Sequence, residues 1–225
     1  MVVVTLGAVL SPSGRTLRPS GHVDRKAIIG ASIALVGLSP FAGMSAHAAT
    51  GSASRPSIHV LGDSLTADGA AWLRAAAKPT RLRIDAKQSR HAFQGVALLR
   101  KVRPLPRTIV FALGSNDDWD SWGRTSFKRR IKEVFAVAGP SRCVVWVNFY
   151  QRPTAAQARR HVMLFSGLND ELARAAKTRR NLRVVDWAAL AARNPRWFRY
   201  DEMHPLDAGY RARARAIVSA IRACQ

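Results

Sequence analysis

Beyond residue 57 the chain alternates short apolar runs with longer amphipathic stretches. Residues 58–61 (IHVL), 108–113 (TIVFAL) and 143–149 (CVVWVNF) are almost wholly apolar and rich in β-branched residues. Runs of that length predict strands buried on both faces. Residues 81–86 set Leu82 and Ile84 between charged positions, the pattern of a half-buried or edge strand. A fifth apolar run, 182–185, ends at Asp186-Trp187.

Helical spacing fills the gaps. Residues 67–77 are Ala-rich, with Asp68 placed near the start to favour the helix dipole, and Lys78-Pro79 stops them. Residues 93–102 repeat apolar positions at helical intervals up to Pro104 and Pro106. Residues 127–138 turn Lys128, Arg129, Arg130 and Lys132 outward and end at Gly139-Pro140. The stretch 155–177 predicts a long helix with Gly167 as a candidate break. Residues 188–200 read as irregular around an Asn194-Pro195 turn, and Asp207 is expected to cap a last helix over 208–223. The alternation predicts an α/β fold: a three-layer α/β/α sandwich around a five-stranded, mainly parallel, flavodoxin-like sheet.

The segment before this domain has a different character. Arg25-Lys26 precedes an apolar run over 27–42, and Ala46-His47-Ala48 follows as a small-x-small cleavage site. That layout predicts a signal peptide over 1–48, a Gly/Ser/Pro-rich linker over 49–57 and a domain over 58–225. The run is too short and too rich in small residues for a membrane span. Export by the general route is expected, with translation starting near Val23 as an alternative. The product would then be secreted or held in the cell envelope.

The 225-residue chain carries a net charge of +22 at pH 7. Such an excess implies attraction to polyanions. In an exported protein these are anionic wall polymers or lipid head groups, and no nucleic acid is expected. The two cysteines, Cys143 and Cys224, form no Cys-x-x-Cys pair, so a disulfide is expected rather than a metal site.

Several chemistries are excluded by their missing signatures. No Gly-x-Ser-x-Gly elbow, Gly-x-Gly-x-x-Gly turn, P-loop, His-Glu-x-x-His or Ser-x-x-Lys occurs. Four short blocks remain, each at a predicted strand end or helix start. Gly62-Asp63-Ser64-Leu65 follows the first strand, and Asp85 to Arg90 follows the second. Gly114-Ser115-Asn116-Asp117 follows the third, and Asp201-Glu202-Met203-His204 precedes the last helix. Ser64 is a candidate nucleophile. Asp201 and His204, three apart, can meet on one turn, leaving the second ring nitrogen free as a base. Taken alone, Asp201-x-x-His204 also fits a helix-start cap with a surface His, and Gly114 to Asp117 an Asx turn.

Taken together, the blocks resemble those of the SGNH (GDSL) hydrolases in order and placement. The resemblance implies Ser64 as nucleophile, His204 as general base and acid, and Asp201 as its orienter. It implies an oxyanion hole formed by Asn116 and the Ser64 backbone N–H, with no metal or cofactor. The family usually offers a Gly in the second block as a further donor, whereas this chain has Ser89-Arg90. The N–H of Ser89, or that of Arg90, is the expected substitute. The run from Ile84 to Arg90 is similar to that of cell-wall O-acetyltransferase domains. Arg90, Trp119 and Trp122 are candidate substrate contacts, while Trp72, Trp146, Trp187 and Trp197 are expected to pack. The implied activity is hydrolysis of a carboxylic ester bearing a short acyl group or of an acetylated glycan. O-acyl transfer to or from wall glycan is the alternative, and non-catalytic envelope binding is a third reading.

Overall fold

Among the described residues five strands pair side by side: β1 (Ile58–Gly62), β2 (Leu82–Ala86), β3 (Thr108–Ala112), β4 (Cys143–Val147) and β5 (Leu182–Val185). Their order across the sheet is β2-β1-β3-β4-β5, and all four pairings are parallel. The computed structural model describes residues 58–117, 123–152 and 156–225, with the side chains of 123–124 and 156–163 excepted. The leader and linker expected over 1–57 lie outside the described residues.

Pleating explains why the central strands read as continuous apolar runs. In β1, Ile58 and Val60 point to one face and Leu61 to the other, and both faces are covered. The first face packs on α2 (Ala70–Ala77), α6 (Trp187–Ala192) and α7 (Asp207–Arg222). The second packs on α3 (Ala92–Lys101), α4 (Gly123–Ala138) and α5 (Ala156–Thr178). Phe111 and Trp146 sit at the centre of that second layer, fully buried, with ring centroids 4.6 Å apart. Truncating either to Ala would cost about 3–5 kcal/mol. β2 and β5 are the edge strands, and no residue of β2 is fully buried, in keeping with its mixed apolar and charged sequence. Cys143 and Cys224 are bonded, with Cα atoms 5.8 Å apart, tying the start of β4 to the end of α7.

Several boundaries differ from the sequence pattern. Helix begins at Ser64 as α1 (Ser64–Asp68), because the Asp63 carboxylate accepts the Leu65 N–H at 3.1 Å and caps it. Gly69 separates α1 from α2. α5 runs through Gly167 unbroken, its apolar face held by Phe165, Leu168 and Leu172. Residues 188–200 are less irregular than expected, since α6 and a 3₁₀ turn (Pro195–Trp197) occupy most of them. Asp207 is not the cap of the last helix. Leu206 occupies that position without a side-chain bond, and Asp207 contributes only its charge to the first turn. No helix among the described residues is long and apolar enough to cross a membrane.

Chain order reverses between β1 and β3: the chain leaves β1 for β2 on one side, then returns past β1 to β3. A sheet of this kind opens a crevice at the carboxyl ends of the strands where the order reverses. Ser64 follows one of those strands and Asn116 the other.

Candidate active site

Tight geometry at the end of β1 fixes Ser64. A Cβ at Gly62 would lie 2.3 Å from that of Thr66, so only glycine lets α1 fold back this closely on the strand. Ser64 is buried and is the first residue of α1, where its N–H has no partner within the helix.

A hydrogen-bonded chain runs outward from its hydroxyl. Ser64 Oγ lies 2.9 Å from His204 Nε2, although 140 positions separate the two residues. His204 Nδ1 lies 2.7 Å from Asp201 Oδ2. The other Asp201 oxygen accepts the N–H groups of Met203 (3.0 Å) and His204 (2.9 Å). Burial opposes the Asp201 charge. The two N–H bonds and the His204 ring outweigh it and hold the carboxyl below its ordinary range. An ionised Asp201 accepts a hydrogen bond from Nδ1–H, which keeps that proton on Nδ1 and leaves Nε2 as the lone-pair nitrogen facing Ser64.

The Asp201–His204 loop is strapped in place. Glu202 takes the left-handed conformation at φ +58°, Gln151 Nε2 donates to the Asp201 carbonyl at 3.3 Å, and the Arg152 N–H donates to the Glu202 carbonyl at 3.0 Å. Phe198 and Pro205 form a β-bridge across the base of the loop.

The third block stands beside the first. Gly114 leaves β3 at φ +130°, a conformation that favours glycine, and turns the chain so that Ser115 Oγ donates to Asp63 Oδ2 at 2.5 Å. Asn116 Nδ2 donates to the Arg90 carbonyl at 3.4 Å, which uses one of the two amide N–H bonds. Asp117 accepts the Ala92 N–H at 2.7 Å and so fixes the start of α3 against this turn.

In the second block Ser89 has φ +54°, the left-handed region, at the place where glycine was expected. The Arg90 N–H donates to the Lys87 carbonyl at 3.3 Å, so of the two candidate donors that of Ser89 is the better placed to serve a ligand. The Arg90 side chain, a candidate substrate contact in the sequence, is turned into the protein. The guanidinium is buried and bonds the Asp85 carboxylate (2.7 Å) and the carbonyls of Asp85 (2.6 Å) and Gly62 (3.4 Å). A buried guanidinium must place its donors, and here they clamp the end of β2 to the end of β1. Trp119 and Trp122, with Asp118 and Asp120, lie outside the described residues. Trp146 is in the core, Trp187 stacks on Trp197 at 6.4 Å, and Trp72 lies under the Arg211 guanidinium at 4.7 Å.

Sequence reasoning missed the layer beneath Ser64. Arg213 of α7 is buried there, with Nη1 3.4 Å from the Leu65 carbonyl and Nε unpartnered. Burial lowers its pKa, and the nearby Asp63 opposes that shift. Burial likewise pushes the Asp63 carboxyl above its ordinary range, against the bond from Ser115 and the charge of Arg213. The available signal was the position of Arg213 four residues before Ile217, on the apolar stripe of its helix.

No protein-family model matches the chain, and no curated protein does. Solved structures do. The C-terminal catalytic domain of peptidoglycan O-acetyltransferase A from Streptococcus pneumoniae, solved with a methylsulfonyl adduct, superposes with a TM-score of 0.60 at 17% identity, over 74% of this chain and 90% of that one. The fold is that of the SGNH/GDSL hydrolases. A member of the lipolytic G-D-S-L family from Veillonella parvula gives 0.57 at 16% identity, over 74% and 96% of the two chains. The acetylxylan esterase Axe2 from Geobacillus stearothermophilus gives 0.55 at 15%, over 73% and 93%.

Proposed function

We propose that the protein is an exported serine esterase that cleaves carboxylic esters through a Ser64–His204–Asp201 triad and an acyl-enzyme. The observation that carries this reading is the unbroken chain from Ser64 Oγ through both ring nitrogens of His204 to Asp201, at 2.9 and 2.7 Å.

In this mechanism Ser64 Oγ attacks the ester carbonyl while its proton passes to His204 Nε2. Asp201 stabilises the resulting imidazolium. The carbonyl oxygen becomes an oxyanion, received by the N–H groups of Ser64 and Ser89 and by the second N–H of Asn116 Nδ2. Collapse breaks the ester C–O bond, and the proton on Nε2 goes to the departing alkoxide. Water, deprotonated by the same nitrogen, then attacks the acyl-enzyme, releases the acid and returns the proton to Ser64.

A second reading is transfer of an acetyl group to or from a wall glycan. The similarity to a peptidoglycan O-acetyltransferase domain and to an acetylxylan esterase favours an acetylated glycan as substrate. Transfer differs from hydrolysis only in a sugar hydroxyl replacing water as acceptor. Release of p-nitrophenol from p-nitrophenyl acetate by residues 49–225 tests the esterase. No turnover above the Ser64→Ala background would reject both enzymatic readings in favour of a non-catalytic envelope protein. Mass analysis of products formed with a glycan oligomer present separates transfer from hydrolysis.

A further inference from the structure

The cationic side chains are not spread evenly. Because all the strands are parallel, every connection entering a strand lies at one edge of the sheet, opposite the edge that holds Ser64. The connections entering β2, β3, β4 and β5 contain Arg81, Arg103, Arg107, Arg142, Arg179 and Arg180, and no Asp or Glu. The opposite edge is mixed, with Asp63, Asp117, Asp186, Asp201 and Glu202 among its cations. A merely basic composition gives no reason for such segregation.

Among the described residues, the ion pairs found involve none of these six arginines. Four of them are exposed, and Arg142 and Arg179 are half-buried. Arg179 lies over the Phe135 ring at 4.4 Å, and Arg142 donates to the Ala138 carbonyl at 3.2 Å, so both are partly ordered before any ligand arrives. Between the turns into β4 and β5 runs an open groove of about 560 Å³, lined by Phe135, Gly139, Pro140, Thr178, Arg179, Arg180 and Asn181. Among the described residues the large exposed apolar side chains are elsewhere: Phe93, Tyr200 and Leu206 lie beyond the strand carboxyl ends.

We propose that this edge docks a linear polymer bearing phosphate groups, which lies along the groove and meets the flanking arginines. Guanidinium forks match phosphate oxygens in pairs, which favours such a polymer over a weakly charged glycan. A concave groove whose apolar lining is the buried Phe135 ring and Pro140 suits a narrow flexible chain better than a flat lipid surface. Docking at this edge leaves the crevice at Ser64 open, so the protein can hold on to a polyanion and still receive substrate.

The test measures binding of the protein, as residues 49–225, to long-chain inorganic polyphosphate across a salt series. The triple variant Arg142→Gln/Arg179→Gln/Arg180→Gln is compared with Arg129→Gln/Lys132→Gln/Arg215→Gln, which removes the same charge from the outer faces of α4 and α7. Thermal melts establish that both variants fold, and the Lys triple at 142, 179 and 180 restores charge if the Gln triple does not. The expected result is binding weakened about 10-fold or more, and a log–log salt slope reduced by about two, in the edge triple. The control triple changes little, and the Lys triple recovers most of the affinity. Equal loss in the edge and control triples would overturn the proposal in favour of diffuse attraction. Binding to phosphatidylglycerol vesicles without binding to polyphosphate would overturn it in favour of a membrane surface.

Discussion

Ser115 donates its hydroxyl proton to Asp63 at 2.5 Å, joining the residue before the proposed nucleophile to the residue before the proposed amide donor. Asp63 also caps α1, so one buried carboxyl sets the spacing between Ser64 and Asn116. Replacing Ser115 with Ala leaves that carboxyl short of a donor in a buried place, at a cost of about 1–3 kcal/mol. The Ser115→Ala variant is expected to melt lower and to hydrolyse p-nitrophenyl acetate about 10-fold more slowly. Denaturant melts and steady-state rates measure the two effects. Unchanged values for both would show that the bond does not govern the spacing.

Asn116 is tied to the Arg90 carbonyl by one amide N–H, leaving the other for an oxyanion. Loss of one such donor typically costs roughly 2.7–4 kcal/mol of barrier. Asn116→Ala is therefore expected to lower kcat by ~100-fold or more, with KM changed far less. The kcat/KM split distinguishes this from a binding defect.

Fold and site were unequally legible in the sequence. The buried strands and the four blocks were readable because strand periodicity and turn residues are local properties. Arg213 and Arg90 were not, since a charged residue reads as solvent-facing until the elements enclosing it are in place. The left-handed Ser89 was hidden for a related reason. A positive φ is announced by glycine or asparagine, and serine gives no such sign. Gly167 misled in the opposite sense: a glycine on a helix with a strong apolar face costs only about 1 kcal/mol, and packing overrides it. The helix start at Ser64 precedes the Ala-rich stretch 67–77, and its one local sign was Asp63, an ordinary cap two residues before Leu65.

The left-handed backbone at Ser89 (φ +54°) is unfavourable for any residue with a Cβ, by roughly 1–2 kcal/mol. If only the backbone N–H serves the oxyanion, Ser89→Gly will keep activity within a few-fold. The variant is also expected to be no less stable, because relief of strain offsets the added freedom of the unfolded chain. A fall of 100-fold in kcat would show that the hydroxyl, not the backbone, does the chemistry.

His59 is buried in β1, with both ring nitrogens unpartnered. Burial, reinforced by Arg83 and Arg90 and opposed by Asp85, lowers its pKa below 6.5. The unfolded chain therefore binds a proton that the folded chain refuses. Its stabilising contribution is complete above pH 6.5 and is lost as pH falls toward the lowered folded value. Between pH 7 and 5, His59→Phe should flatten the fall in stability by at most about 1.4 kcal/mol per pH unit. Urea midpoints across that range measure it, and an unchanged slope would mean the ring is solvated when charged.

The most direct test of the Ser64 assignment is covalent labelling with a serine-reactive fluorophosphonate, read by intact-protein and peptide mass spectrometry. The expected result is a single adduct on the peptide containing Ser64, abolished in Ser64→Ala and strongly slowed in His204→Ala. Labelling that persists in Ser64→Ala, or that maps to another serine, would contradict the mechanism.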